Sequence, residues 1–498
     1  MGFPVEAAAA VFAAAVAASV VLTGAARPAA RRVGLVDKPD GRRKVHGNAT
    51  PVAGGLAVFA AAALVLGLAA VLPGPVADAV AASPLEFVTL LAGAALICLL
   101  GVADDRFGLR GKYKLAGQAV AALVVIAGGA RVEAVYLFGA DLPLGWLGAP
   151  LTLLWLLGAI NSLNLIDGMD GLLGTIGVIV CAAVAVMAGM HGQVAEACVA
   201  AALAGALVGF LRFNLPPASI YLGDAGSMLV GLVIGVLAIR CSLKGPATVA
   251  LAAPAALLTI PFLDTAAALV RRKLTGRSMY STDRGHIHHC LQRGGMSRPR
   301  VLALVSGLCS ITVVGVLTSI AYRNEALAVL SAAAVVFILV ASRLFGHAEF
   351  LLMVGKAKAF ARSALGPPPA GRQLQVRIQG SAGWADLWDK LTAAALRLNL
   401  NAVTLDVNAP LHHEGYHARW HGPAAAAEEN TVWSAVLPLS AYGRPIGQVS
   451  VTGLPDGDPV WRKLAELGDV TEGIELLLSP PHAPVPAADA AILATTPA

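Results

Sequence analysis

Charge is what this chain has least of. Asp, Glu, Lys and Arg make up 13% of 498 residues, about half the share of an ordinary globular chain, while 57% of residues are hydrophobic and mean hydropathy is +0.73. That excludes a soluble enzyme, and no nucleic-acid partner is expected. Cysteine is also scarce: five of the six lie in or beside apolar runs and Cys290 in a polar loop. The absence of CxxC spacing excludes a disulfide framework or a cysteine metal site and leaves packing as their role. No Lys or Arg precedes the first apolar run, whereas Arg27, Arg31 and Arg32 follow it. This is the reverse of a secretory signal's charge order, so the first run reads as a retained helix entering from outside.

Long apolar runs are abundant. Eleven of about 17 to 25 residues, enough to cross a bilayer as helices, lie near 5–26, 52–73, 86–103, 115–130, 146–163, 171–190, 194–211, 225–241, 246–270, 301–321 and 326–344. The expected fold is an all-α polytopic membrane protein of about eleven transmembrane helices, followed by a C-terminal cytoplasmic α+β domain. With an outside N-terminus, the loops 27–51, 104–114, 161–170, 212–224 and 271–300 share a face. They hold 20 Lys and Arg against four in the opposite loops, which makes that face cytoplasmic.

Every polar cluster falls on the same face: Asp104-Asp105, Asn161 to Asp170, Tyr221 to Ser227, and Asp283 to His289. Polar groups at a membrane boundary are costly and mark a functional site by default. Carboxylates with Asn are hard oxygen donors suited to Mg²⁺, which keeps waters and is completed by substrate phosphates. Lys, Arg and His supply the positive charge phosphates need, and phosphoryl transfer is largely positioning plus charge neutralisation. His286-Ile-His288-His289 lacks the His-Glu-x-x-His or finger spacing of zinc sites. Asn161 to Asp170 lacks the glycine position and closing Glu of a calcium loop. Asp264 and Arg271, seven apart on nearly one helical face, are expected to brace one another or contact substrate. A transporter would gather its ionisable residues near the bilayer midplane between repeated or broken helices. Here they collect at one surface, and no internal repeat is evident. That rival and an inactive membrane scaffold with a cytoplasmic regulatory domain are the alternatives to an enzyme.

These motifs together resemble the polyprenyl-phosphate N-acetylhexosamine-1-phosphate transferases (glycosyltransferase family 4 type). The resemblance runs in order through Gly34-Leu-Val-Asp37-Lys-Pro39, Arg43-Lys44-Val-His46, Pro51, Gly54-Gly55, Asp104-Asp105 and Asn161 to Leu172. It continues through Phe213-Asn214-Leu-Pro216, Tyr221 to Ser227, Pro261, Asp264, Gly276-Arg277 and Asp283 to His289, covering about residues 1–345. The His-Ile-His-His form is similar to the subgroup that uses UDP-N-acetylglucosamine. The longer histidine run with Phe-Glu of the muramoyl-pentapeptide transferases is absent.

The resemblance implies transfer of sugar 1-phosphate from a UDP-N-acetylhexosamine to undecaprenyl phosphate, with release of UMP, at the inner (cytoplasmic) membrane of a bacterium. It implies Mg²⁺, or Mn²⁺ in its place, held by Asp224 and Asn164, and Asp104 and Asp105 as base or metal organiser. Because a phosphate monoester has a second pKa of about 6, the acceptor oxygen is already largely ionised, so positioning matters more than deprotonation. Lys114 is expected at the donor diphosphate and Lys44 and His46 at the lipid phosphate. His286, His288 and His289 are expected at phosphate or sugar groups, and Asn161, Asp167, Asp170, Asn214 and Asp264 at substrate. A second copy of the chain is an open option as partner.

Residues 346–371 read as a linker ending in Pro367-Pro-Pro369, 372–480 as a small α+β domain, and 481–498 as a disordered Ala/Pro-rich tail. Alternating patterns at 373–379, 432–439 and 446–451 suggest strands, within a module of five strands and two or more helices. Segments 384–398 and 459–478 have helical spacing. His412, His413, His417 and His421 read as a solvated loop rather than a metal site.

Overall fold

A computed structural model describes residues 5–37, 50–137, 140–243, 252–274, 285–363, 373–379, 383–409, 414–422, 432–472 and 474–478. They fall into two compact units. The first comprises the described residues up to Ala267 and from His286 to Phe345; the second comprises those from Ala268 to Gly285 and from Gly346 onward.

Runs of Ala, Leu and Val without charge satisfy their backbone groups only by coiling into helices when they lie in lipid, and the first unit is built of them. Its helices are α1 (Val5–Arg32), α2 (Gly54–Val71), α3 (Pro75–Ala82), α4 (Pro84–Phe107), α5 (Gly111–Ala127), α6 (Gly148–Ile166), α7 (Leu172–Met190), α8 (Val194–Asn214) and α9 (Gly223–Leu243). After these come α10 (Ala252–Leu257), α11 (Thr259–Leu274, whose end from Ala268 groups with the second unit), α12 (Ile287–Arg293), α13 (Arg298–Tyr322) and α14 (Glu325–Ala341). Among the described residues, eight are long and apolar enough to cross a membrane: α1, α2, α4, α6, α7, α8, α9 and α13. The other three expected runs are shorter. The 115–130 run lies in α5 and the 326–344 run in α14, each 17 residues, or about 25 Å at 1.5 Å per residue, against a hydrocarbon core of about 30 Å. The 246–270 run is interrupted at Leu258, between six-residue α10 and sixteen-residue α11.

Helix α9 is the central strut, almost wholly buried between neighbours. Its first turn is gripped from both sides by glycines. A Cβ on Gly55 of α2 would lie 2.1 Å from the Gly226 nitrogen, and one on Gly101 of α4 would lie 2.3 Å from Ala225 backbone. Glycine is what allows three backbones to meet there. Below α1, β1 (Val36–Asp37) pairs antiparallel with β2 (Thr50–Pro51), and Val52 bridges to Tyr221. The first N–H groups of α2, which have no intrahelical acceptor, are satisfied from the same stretch: Gly54 donates to the Tyr221 carbonyl at 3.0 Å and Gly55 to the Leu222 carbonyl at 2.8 Å. The ends of α2, α4 and α9 are thereby fixed together. A short hairpin, β3 (Ala134–Leu137) with β4 (Ala140–Pro143), lies at the other end of α5.

The second unit holds α15 (His347–Ser363) within the stretch expected as a linker, then β5 (Gln373–Gln379), α16 (Trp384–Arg397), β6 (Leu400–Ala409) and β7 (Glu414–His421). It ends with β8 (Trp433–Ala441), β9 (Arg444–Gly453) and α17 (Val460–Thr471). The five strands form one antiparallel sheet in the order β5-β7-β6-β9-β8. Trp384, Trp388 and Leu391 of α16 pack with Val403, Leu405 and Trp420 of the sheet in its core. The β8–β9 hairpin turns on Tyr442 and Gly443, both at positive φ (51° and 68°), as a tight two-residue turn that matches strand twist requires. His417, expected in a solvated loop, is instead buried in β7 opposite Asp406 of β6, 3.6 Å away, because the strand begins at Glu414 and carries it inside. His412 and His413 lie outside the described residues.

Candidate active site

The last turn of α4, the first turns of α5 and α9 and the last turn of α6 converge at one end of the first unit. Each brings a polar residue. The Lys114 ammonium donates to Asp104 Oδ2 at 2.7 Å, Asp224 Oδ2 at 3.0 Å and Asn164 Oδ1 at 3.2 Å. Asn164 Nδ2 donates to Asp224 Oδ1 at 2.7 Å and to Ser227 Oγ at 2.8 Å. The expected metal pair, donor-phosphate lysine and half of the aspartate pair thus form one hydrogen-bonded layer. Asp104 also accepts the Leu109 N–H at 2.7 Å, which fastens the turn between α4 and α5.

Asp105 points to a different task. Its oxygens accept the N–H groups of Asp224 at 3.1 Å and Ala225 at 3.5 Å, so it caps the N-terminus of α9, where unsatisfied N–H groups and the helix dipole favour a negative charge. Gly223, at φ +73°, lies so near that a Cβ would sit 2.6 Å from the Asp105 carboxylate. Asp105 therefore sets where Asp224 stands.

The loop after α6 carries the next two carboxylates. Asp167 is partly covered, and burial, then the charges of Asp224, Asp105 and Asp170, push its carboxyl up to about 8. Five aspartates, 104, 105, 167, 170 and 224, lie near one another with Lys114 and, at Asp170, Arg298 as cations among the described residues, so the site gains from added positive charge. Asp170 is engaged in the frame: its Oδ2 accepts the Ala218 N–H at 3.1 Å and lies 3.6 Å from the Arg298 guanidinium of α13.

The histidines approach the same loop from α12. Asp264, fully buried, accepts from His286 Nδ1 and from the Ile287 N–H, both at 2.8 Å, and so anchors the start of α12. His288 is 1% exposed, and its ring lies against Gly168, where a Cβ would come within 2.3 Å of Nε2. Neither of its ring nitrogens has a hydrogen-bond partner among the described residues. Burial, then His289 and His286, hold it well below the ordinary imidazole range, so it is neutral at pH 7. His289 stacks at a tilt on His288, centroids 4.2 Å apart.

Other expected contacts are turned inward. Asn214 is buried, accepts the Gly171 N–H at 2.9 Å and donates to the Ile220 carbonyl at 2.9 Å, tying the end of α8 to the start of α7. Asn161 is paired with Gln118. Arg271, expected to brace Asp264, forms a buried ion pair with Glu349 of α15 within the second unit. Lys44 and His46, with Arg277 and Asp283, lie outside the described residues. The sequence reading left out Gln118 and Arg298, and gave Ser227, within the Tyr221 to Ser227 cluster, no contact of its own. A lone Gln inside the 115–130 apolar run was the available signal for the first; the others are legible only from what they touch.

Among the described residues, no three His, Cys, Asp or Glu side chains converge into a ready metal cage. Mg²⁺ needs less: one or two carboxylates completed by water and substrate phosphates. Asp224, with Asn164 beside it and Asp104 and Asp167 near, is a hard oxygen donor set of that kind.

Residues 87–242 match the family model described as glycosyl transferase family 4. The chain is 31% identical over 300 residues, 59% of its length, to a probable undecaprenyl-phosphate N-acetylglucosaminyl 1-phosphate transferase of Bacillus subtilis (strain 168), covering 81% of that protein. It is 33% identical over 348 residues, 64% of its length, to a decaprenyl-phosphate N-acetylglucosaminephosphotransferase of Mycolicibacterium smegmatis, covering 83% of that protein. It is 32% identical over 289 residues, 56% of its length, to an undecaprenyl-phosphate alpha-N-acetylglucosaminyl 1-phosphate transferase of Salmonella typhi, covering 75% of that protein.

Proposed function

The chain belongs to glycosyl transferase family 4, and from that premise we propose that it transfers N-acetylglucosamine 1-phosphate from UDP-N-acetylglucosamine to undecaprenyl phosphate, releasing UMP. An oxygen of the lipid phosphate forms a bond to the sugar-linked phosphorus of the donor. The bond from that phosphorus to the bridging oxygen breaks, and UMP leaves with the electron pair. The observation that carries this reading is the single layer formed by Asp104, Lys114, Asn164 and Asp224 from four helices, beside the carboxylate of Asp167.

Lys114 places a positive charge where a diphosphate would lie. Charge neutralisation and alignment are most of what phosphoryl transfer requires. Asp224 and Asn164 would hold Mg²⁺, which when bound supplies charge to the diphosphate oxygens. Asp105 holds the start of α9, and with it Asp224, in place; Asp104 orients Lys114. Neither is free to serve as a base without giving up those partners, in keeping with an acceptor phosphate already ionised at neutral pH. Neutral His288, with both ring nitrogens unpartnered among the described residues and lying beside the 167–170 loop, is disposed to take a sugar or phosphate group.

The site lies on the cytoplasmic face of a bacterial inner membrane, where a nucleotide donor is available, if α5, α14 and the interrupted 246–270 run also cross and bring the total to eleven. Residues 1–345 then form the transferase part. On the same count of crossings the sheet unit within 372–480 is cytoplasmic.

The test is UMP release by the purified full-length protein given UDP-N-acetylglucosamine and undecaprenyl phosphate, with Mg²⁺ or with chelator, beside Asp224→Ala. Turnover that needs lipid and metal and falls at least a hundredfold in the variant is expected. Turnover untouched by chelator would remove the metal from the reading, and none with any UDP-amino sugar would remove the transferase.

A further inference from the structure

Beneath the charged layer lies a second polar layer, buried in the helix bundle. Gln118 is 0% exposed. Its Nε2 donates to Asn161 Oδ1 at 3.4 Å and to Met228 Sδ at 3.2 Å, and its Oε1 accepts from Asn161 Nδ2 at 2.8 Å. Asn161 Nδ2 donates as well to the Leu157 carbonyl at 2.8 Å. Gln118 follows Lys114 by four residues on α5, Met228 follows Asp224 by four on α9, and Asn161 precedes Asn164 by three on α6. Helices α5 and α9 start at the site and α6 ends there. Each member of the lower layer therefore sits one helical turn, about 5 to 6 Å, directly under a member of the upper one.

We propose that Gln118 is a positioning residue for the transfer reaction: its amide locks the rotation of α5 against α6 and α9, and so keeps the Lys114 ammonium on Asp224 and Asn164. The proposal rests on the transferase reading for its kinetic consequence but not for its geometry. Interhelical hydrogen bonds in lipid contribute little net stability, because the separated helices also find partners. A leucine would fill the same space without burying an amide. What leucine cannot do is choose one rotation. An apolar interface tolerates small rotations and slides, whereas a reciprocal amide pair between planar groups fits in only one arrangement. Two of the three upper-layer bonds made by Lys114 cross from α5 to α6 or α9, and these are the contacts that a rotation of α5 would open.

The test compares wild type, Gln118→Leu, and the exchange Gln118→Asn with Asn161→Gln, which keeps the amide pair in reversed lengths. All are full-length, purified in detergent and checked for an unchanged melting temperature. Misplacement of about 1 Å at such a site costs up to a hundredfold in rate. Gln118→Leu is expected to lower kcat ten- to a hundredfold with the donor KM within twofold, and the exchange to restore kcat to within threefold of wild type. Independently of turnover, acylation of Lys114 by an amine reagent, followed by mass spectrometry, is expected to speed up at least fivefold in Gln118→Leu and return in the exchange. Unchanged labelling of Lys114 overturns the proposal whether or not the protein turns over. Changed labelling with unchanged kcat in an active wild type also overturns it. An inactive wild type would instead count against the transferase reading, and the labelling would still decide the geometry.

Discussion

Replacing Lys114 with Met leaves the volume nearly unchanged and removes the one charge shared by Asp104 and Asp224. The ammonium is 2.7 Å from one carboxylate and 3.0 Å from the other, and the three side chains are 18%, 9% and 30% exposed. Breaking a buried pair costs about 3 to 5 kcal/mol because the abandoned charge stays buried. Asp224 keeps enough solvent access for part of this to be screened, so about 2 to 3 kcal/mol is expected. At roughly 2 to 4 °C per kcal/mol, the melting temperature of the full-length protein in detergent should fall on the order of 5 to 10 °C at neutral pH. Mg²⁺ should then recover more of the loss in the variant than it adds to the wild type, because a divalent cation can lie between carboxylates that no longer share an ammonium. The measurement is thermal unfolding of both proteins with and without Mg²⁺. Equal melting temperatures, shifted equally by the metal, would refute the reasoning, since the Asp104–Lys114–Asp224 contacts would then carry no charge balance.

Other outcomes follow from single features. Asp167, raised from 3.8 to about 8, stays protonated in the folded protein while ionising in the unfolded one. Stability should therefore fall as pH rises from about 4 to 8, by up to about 1.4 kcal/mol per unit, and Asp167→Asn should flatten that slope in melts between pH 5 and 8. In Gly168→Ala the new methyl would meet the His288 ring at 2.3 to 2.4 Å. Overpacking of this kind costs about 1 to 3 kcal/mol, and turnover should drop with the displaced ring; a variant with wild-type kcat and stability would show that the ring is free to move aside. Gly55→Ala sets a methyl 2.1 Å from the Gly226 nitrogen, where backbone must yield, and should lower both melting temperature and turnover.

Much of this molecule was legible from composition and order alone. Eight apolar runs became helices long enough to cross a bilayer because a charge-free stretch of that length has one way to satisfy its backbone in lipid. The alternation at 373–379 became strand β5, and that at 446–451 became β9, which buries Ile446, Val449 and Val451. The polar clusters at 104–105, 161–170 and 221–227 could be placed at one end of the bundle, since their positions between runs fixed which face they shared. The runs at 115–130 and 326–344 gave helices of 17 residues each, short of the hydrocarbon thickness, and Leu258 interrupts the third.

Partnership was beyond the sequence. Nothing in the order of residues says that adjacent Asp104 and Asp105 turn to different tasks, one to an ammonium on α5 and the other to the first N–H groups of α9. Asp264 and Arg271 share a helical face by spacing, yet one is engaged by His286 and the other by Glu349, since each neighbour arrives from a segment far along the chain. Gly101 passes for an ordinary helix residue, and the packing reason for Gly55 stays hidden, until the first turn of α9 is seen lying between them. Local periodicity and apolarity determine which residues are helical and which end of a helix is polar. The rotation of each helix, and hence which polar groups touch, is decided only when side chains from all of them compete for the same small space.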